Sequence, residues 1–308
     1  MKAYTDSERR DCMEIRVLRY FLAVAREGNI TSAANYLHLT QPTLSRQIRD
    51  LEDELGQQLL IRKSHRVALT PAGMLFRKRA EEIVIMADRT EEEFRTMKSE
   101  LTGDIYIGGG ETDAMNQIAA VCRELQMTHP GIHYHLYSGN AQAVTERLDK
   151  GLLDFGILIQ PTDLTKYHSL TIPAKDTWGL IMRKDCPLAE KADIELPDLL
   201  PLPLIFSQQV LNERVEINEL AMWFGSAWGN LNIVATFNLA YNAAIMAKQG
   251  VGYVLGLDKL ADTSESSPLC FRPLAPRLES GLDLVWKKYQ VFSPAADVFL
   301  EKLQTKFS

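Results

Sequence analysis

From Met13 onward, apolar residues recur at the spacing of short helices. Leu18, Phe21, Leu22 and Ala25 predict a first helix, which Gly28 and Asn29 stop. Thr31 is expected to cap a second helix, with Ala33, Ala34 and Leu37 on its inward face. A short turn at His38-Leu39-Thr40 leads to a third helix. Thr40 or Gln41 caps it, and Pro42 occupies its first turn, where a missing N–H costs nothing. Leu44, Ile48, Leu51 and Leu55 form one continuous apolar stripe before Gly56 ends the helix. The β-like runs Gln58–Ile61 and Val67–Leu69 then flank a basic loop, Arg62-Lys63-Ser64-His65-Arg66.

Between residues 72 and 101 the pattern changes. Phe76, Ala80, Ile83, Ala87, Thr90, Phe94, Met97 and Leu101 alternate steps of four and three, with Thr90 as one polar break. This heptad seam predicts a long linker helix. The stripe is narrow enough to seek a helix partner, and the alternative is packing against its own domain. After Thr102-Gly103, strand-like and helix-like segments alternate to the end, which predicts an α/β domain of mostly parallel strands. The strand candidates are Ile105–Ile107, His133–Tyr137, Phe155–Ile159, Gly179–Met182, Leu204–Phe206, Ile233–Thr236, Tyr253–Leu255 and Leu282–Trp286. Helices are expected at Ala114–Met127, Ala141–Lys150, Val215–Phe224 and Leu239–Lys248.

The 308 residues suit about two domains. Residues 1–12 carry three acids and three bases without apolar periodicity and read as a flexible tail, with Met13 as the natural start of the pattern. The net charge of −6 argues against a surface coated with nucleic acid. It hides an asymmetry, however: residues 13–71 carry net +2, residues 72–101 net −1 and residues 102–308 net −7. The four cysteines are scattered and read as free thiols in a reducing compartment. With no apolar stretch long enough to span a bilayer and no signal-peptide pattern, a cytoplasmic location is expected.

The helix–turn–helix at 31–55 carries the strongest chemistry. The face opposite its apolar stripe presents Pro42, Ser45, Arg46 and Arg49, roughly 100–200° round the axis from Leu44. A polar, basic helix face of this kind fits the DNA major groove. Arg46 can bond guanine O6 and N7, Gln41 an adenine or a phosphate, and Ser45 a base edge or a phosphate. The basic loop lies where a wing would touch phosphates.

The segment from Met13 to Gly73 resembles the DNA-binding end of LysR-type transcriptional regulators. Ala33-Ala34, Leu37, Gln41-Pro42, Leu44-Ser45-Arg46-Gln47, Leu51-Glu52, Leu55-Gly56, Arg62, Leu69-Thr70 and Ala72-Gly73 carry the likeness. A weaker resemblance continues to the end of the chain. It implies an N-terminal winged helix-turn-helix over 13–71, a dimerising linker helix over 72–101, and an effector-binding domain over 102–308. The last would have the type 2 periplasmic-binding-protein-like form, two α/β subdomains around a cleft. The DNA-binding set is then Thr31, Gln41, Pro42, Thr43, Ser45, Arg46, Arg49, Arg62, Lys63, His65 and Arg66, and the dimerisation set Phe76, Ala80, Ile83, Ala87, Phe94 and Met97. The implied partners are double-stranded promoter DNA, a small-molecule effector and further copies of the chain, as dimer or tetramer.

The effector cleft transfers more coarsely. After the first strand come Gly110, Glu111 and Thr112, where a hydroxyl at a helix N-terminus can hold a ligand carboxylate. Glu111 and Asp113 depart from that pattern. Either they cap helices, or the effector is neutral or carries an amine. Further walls are expected from Phe206-Ser207-Gln208, from Asn238 and Tyr241, and on the hinge side from Ile159 and Gln160. No cofactor motif and no catalytic constellation stand out. His133 and His135 share a strand face, but no third metal ligand lies nearby in sequence. The competing readings are a small-molecule-binding protein without direct promoter control, a transporter's solute-binding protein, and an enzyme with an appended DNA-binding domain.

Overall fold

The computed structural model describes residues 13–63, 66–96, 101–161, 163–212 and 218–307. The chain divides into two compact units, Met1–Met97 and Lys98–Ser308. The tail expected at 1–12, His65 and Met97 lie outside the described residues, as does the side chain of Lys63.

In the first unit α1 (Ile15–Glu27) ends at Gly28, whose φ of 60° is the left-handed conformation that favours glycine. The second helix, α2 (Ile30–Tyr36), begins two positions earlier than expected. Asn29, not Thr31, caps it, its Oδ1 accepting from Ser32 N at 3.0 Å. Thr31 instead sits exposed in the first turn. Thr40 caps α3 (Gln41–Leu55), and Gly56 closes it with φ 62°. Phe21, Val24, Ala33, Ala34, Leu44, Ile48 and Leu51 form the core. Leu55, expected in the stripe, is exposed, because the last turn of α3 runs past that core.

The hairpin is β1 (Leu60–Lys63) and β2 (Arg66–Leu69), antiparallel, with Leu60 opposite Leu69 and Lys63 opposite Arg66. Thr70 then caps α4 (Pro71–Thr96): its hydroxyl accepts from Gly73 N at 2.9 Å and donates to the Gln58 carbonyl at 2.7 Å. A Cβ on Gly73 would stand 2.1 Å from the Leu59 carbonyl oxygen. Backbone cannot yield as a side chain does, so Gly73→Ala is expected to cost about 1–3 kcal/mol of the unit's stability, read by urea unfolding. An unchanged midpoint would contradict that close approach.

The seam along α4 is split. Phe76 meets Phe21 edge-to-face at 4.9 Å and Ala80 is fully buried, so these two seam positions serve their own unit's core. An Arg19–Asp88 ion pair also holds α1 against α4. Beyond Ala80 the stripe opens: Ala87 is half-buried, and Ile83 and Phe94 are exposed, Phe94 by 67%.

The second unit opens with β3 (Gly103–Gly109), α5 (Met115–Thr128), β4 (Ile132–Ser138), α6 (Ala141–Asp149) and β5 (Phe155–Ile159). The long β6 (Tyr167–Arg183) leads to a second subdomain: β7 (Ile194–Glu195), α7 (Leu196–Leu199), β8 (Leu204–Ser207), α8 (Gln208–Asn212), α9 (Glu219–Phe224), β9 (Ile233–Phe237), α10 (Ala240–Lys248), β10 (Tyr253–Leu257) and β11 (Leu269–Ala275). The chain returns through β12 (Glu279–Lys287) and ends in α11 (Pro294–Phe307).

β6 is the shared element. Residues 167–177 pair with β12 in the first sheet, ordered β4-β3-β5-β12-β6. Residues 178–183 pair with β10 and β11 in the second, ordered β6-β10-β8-β9. The outer strands of both sheets are parallel, but β12 and β6 run antiparallel to their neighbours, so the all-over parallel pattern stops where the chain crosses between subdomains. Each subdomain keeps a separate core, one around Phe155, Leu284 and Phe299, the other around Leu204, Phe206 and Phe224. A cleft lies between them. Of the helix expected over Val215–Phe224, the described part starts at Glu219, where buried Asn218 caps it by accepting from Ala221 N at 2.9 Å.

Candidate functional site

The first site is the exposed face of α3. Gln41, Pro42, Thr43, Arg46 and Arg49 are all exposed. The Arg46 side chain is 83% exposed, and Asp50, one turn on, approaches only to 3.8 Å. Such a surface pair contributes little, so the guanidinium is available to a partner. Thr43 is partly engaged: its N–H and hydroxyl meet the Thr40 hydroxyl at the helix cap. Arg66 is exposed on the hairpin.

Two residues expected on this surface are not free on it. Ser45 is buried, because Ser45, Ile48 and Glu52 share one face of α3. Arg62 donates from Nη2 to Glu52 Oε2 at 3.1 Å and from Nη1 to Ser45 Oγ at 3.4 Å. Its charge is spent joining the hairpin to α3. Glu52 also accepts from Leu59 N at 2.8 Å and Leu60 N at 2.9 Å, both through Oε1. One carboxylate therefore fixes the wing's origin against the helix that carries Arg46. The sequence offered a signal: an acid at Glu52 falls on the buried stripe, where it must find partners.

The second site is the cleft, a cavity of about 790 Å³ including its mouth. Gly110, Glu111, Asn140, Ile159 and Gln160 line one side, and Ser207, Phe237 and Asn238 the other. Polar contacts cross it. The Glu111 carboxylate accepts from Ala240 N at the start of α10. Gln209 Oε1 accepts from Ala141 N at the start of α6, at 3.0 Å. Lys259 Nζ bonds Asp113 Oδ2 at 2.7 Å, and this pairing raises the lysine's pKa. The two acids that depart from the expected pattern are thus the ones that tie the subdomains together. Gln160 is oriented by Asp283, to which it donates at 2.9 Å.

A family model described as the LysR substrate binding domain matches residues 98–308, and one described as a bacterial regulatory helix-turn-helix protein of the lysR family matches residues 15–74. The chain belongs to the LysR family. It is a LysR-type DNA-binding transcriptional regulator. Among its relatives is the Hca operon transcriptional activator HcaR of Escherichia coli K12, 29% identical over 96% of this chain and 99% of that protein. Another is the HTH-type transcriptional regulator BudR of Klebsiella aerogenes, 39% identical over 46% of this chain and all of that protein. The fold is shared with the crystal structure of CbnR, a LysR family transcriptional regulator (TM-score 0.77, 21% identity, 96% of this chain and 100% of that one). It is shared also with full-length CbnR complexed with its target DNA (TM-score 0.75, 22% identity, 95% and 99%).

Within this LysR-type regulator the expected cleft residues separate into two groups. Gly110, Glu111, Ile159, Gln160, Ser207 and Asn238 line the cavity. Thr112 does not: it is buried, and its hydroxyl is used by Ala114 N at 3.0 Å and by Asp176. Phe206 points into the core beside Phe224 and Trp228, Gln208 faces solvent while its neighbour Gln209 reaches the cleft, and Tyr241 is 69% exposed outside the cavity. Pleat and helix rotation decide these cases, and they turn on single positions. Asn140, Trp178, Gln209, Asn218, Glu219 and Ser280 line or bridge the cavity although the sequence did not single them out. Trp178 Nε1 donates to Ser280 Oγ at 2.9 Å, and Ser280 donates to Glu219 Oε2 at 3.0 Å.

Buried Asp176 lies behind this site. Burial pushes its carboxyl above the ordinary range, the Thr112 hydroxyl opposes that, and the Asp113 charge adds to it. Its Oδ2 has no hydrogen-bond partner among the described residues. A raised folded-state value favours the fold at acid pH and costs stability as pH rises through it. Asp176→Asn is therefore expected to raise the melting temperature at neutral pH, by an amount that shrinks as pH falls through the carboxyl range. A pH-independent gain would contradict this. His135 bonds Asp104 at 3.0 Å and stacks on Tyr106, and no group of metal-ligating residues converges among those described. No helix among the described residues is long and apolar enough to cross a membrane.

Proposed function

We propose that α3 enters the major groove with Gln41, Pro42, Thr43, Arg46 and Arg49 toward the bases, while Lys63, His65 and Arg66 of the hairpin meet phosphates. The observation that carries this is the division of α3 into a locked apolar face and an exposed polar one that begins at the helix N-terminus. Residues 13–71 act as the reading head, 72–101 as the linker and 102–308 as the effector domain. Exposed Ile83 and Phe94 of α4, half-buried Ala87 and, further along the chain, Met97 serve association, and Phe76 and Ala80 support the head from within. A two-fold dimer then presents two heads to an interrupted inverted repeat. A small effector in the cleft biases the subdomain closure and with it the spacing of the heads, which requires unequal affinity for the two states. The protein works in the cytoplasm and turns nothing over.

Arg66→Ala tests the wing. It is expected to weaken binding to selected and scrambled duplexes alike and to lower the slope of log affinity against log salt by about 1, read by fluorescence anisotropy. A loss confined to the selected sequence would overturn the phosphate assignment.

A further inference from the structure

We propose that the cleft takes a cationic ligand, a small amine with an apolar body, seated on Glu219 against Trp178 and Phe237. The proposal rests on the reading of the cleft as the effector site and adds the ligand's charge.

Among the described residues, those lining the cavity include two carboxylates, Glu111 and Glu219, and no Lys, Arg or His. An anion would have to rely on neutral donors in place of a cation, and helix N-termini are where backbone N–H groups are offered. Helices α6, α8, α9 and α10 start at this cavity, and on α6, α9 and α10 the chain's own side chains already accept from first-turn N–H groups. Asn140 Oδ1 accepts from Ala143 N at 2.9 Å and Gln209 Oε1 from Ala141 N on α6. Asn218 accepts from Ala221 N on α9. On α10, whose N-cap residue Leu239 contributes no side-chain bond, the Glu111 carboxylate takes Ala240 N. The chain's own carboxylate thus stands where a ligand carboxylate would bind.

Glu219 differs from Glu111. Among the described residues, the Ser280 hydroxyl is its only hydrogen-bond donor and no cation stands within ion-pair distance of it. That hydroxyl is itself held by the Trp178 indole N–H, so the carboxylate is aimed while keeping acceptor capacity. Trp178 and Phe237 line the same cavity, and aromatic faces attract ammonium groups. A half-buried carboxylate with no counter-ion among the described residues, beside aromatic walls and apolar Leu220 and Leu257, favours an ammonium group on an apolar body and repels an anion.

The test holds the ligand's body constant and varies its charge. 2-Phenylethylamine, 2-phenylethanol and phenylacetate are titrated into the full-length protein at neutral pH, with melting temperature and calorimetric affinity as readouts. The amine is expected to raise the melting temperature with dose and to bind about tenfold tighter than the alcohol, a difference of 1.4 kcal/mol. Glu219→Gln is expected to abolish that advantage while leaving alcohol binding in place. Phenylacetate binding as tightly as the amine overturns the charge assignment, as does the absence of any shift with the amine at millimolar concentration. Comparison of the three ligands on the wild-type chain decides the matter even if the variant folds poorly. DNA affinity measured on the same samples keeps the two readings apart. Amine binding that leaves DNA affinity unmoved upholds the ligand class and overturns the effector reading. Phenylacetate binding that moves DNA affinity does the reverse.

Discussion

Replacing Glu52 by alanine lowers the stability of the N-terminal unit by about 3 kcal/mol. The carboxylate is 10% exposed and serves three donors at once: Leu59 N, Leu60 N and the Arg62 guanidinium. Alanine strands two buried backbone N–H groups and leaves Arg62 without its counter-charge. Because Arg62 is 32% exposed and recovers some hydration, the loss falls at the low end of what breaking a buried pair costs. Glutamine keeps an Oε1 acceptor for the backbone donors but puts an NH2 donor where Oε2 accepts from Arg62, losing the charge and that one hydrogen bond, so Glu52→Gln should cost less, about 1–2 kcal/mol. Urea unfolding, with hydrogen exchange resolved by segment, checks both. Equal losses in the two variants would assign the effect to the ion pair alone. DNA affinity should fall with Glu52→Ala even at temperatures where the head stays folded, because the hairpin loses its anchor on α3.

Arg46→Ala acts on the opposite side of the same helix and leaves stability alone, since its one nearby acid is a solvated surface contact. A bidentate bond to guanine is worth about 1–3 kcal/mol of discrimination, so the variant should bind its selected site roughly ten- to a hundredfold more weakly. Binding to scrambled duplex should change far less. Arg46→Lys keeps the charge without the planar fork and should recover non-specific affinity but not the preference for guanine. A variant that weakens both duplexes equally would make Arg46 a phosphate contact.

The legibility of this chain follows from the strength of its local signals. The head could be read almost element by element, because Leu44, Ile48 and Leu51 repeat at helical spacing and Gly28 and Gly56 mark the stops. What escaped there was the use of polar residues on a buried face. The sequence pattern places Ser45 on the solvent side and Arg62 in the phosphate-facing loop, because nothing local reveals that Glu52 reaches across to the hairpin. In the second unit the strands with continuous apolar runs, such as Phe155–Ile159, were visible. The first half of β6 was not: Tyr167–Thr177 mixes exposed and buried positions along a crossing strand. The strand β11 was hidden by Pro273, and α11 by its opening proline. The cleft was legible as loops and not as side chains. Gly110, Glu111, Ser207 and Asn238 follow from the family resemblance, which places cleft residues at loops after strands. Trp178, Gln209, Glu219 and Ser280 arrive from elements whose rotation or crossing only the tertiary structure sets. Whole-chain charge misled for a related reason: the basic head is small, and −7 in the effector domain outweighs it.

The central claim, that the exposed face of α3 reads bases for a two-fold regulator, is tested most directly by selecting bound sequences from a random duplex pool with the wild-type protein and with Arg46→Ala. The wild-type chain should enrich an interrupted inverted repeat, and the variant should lose information at one symmetry-related pair of G·C positions while keeping the rest of the motif. An identical motif from both proteins, or enrichment without two-fold symmetry, would contradict it.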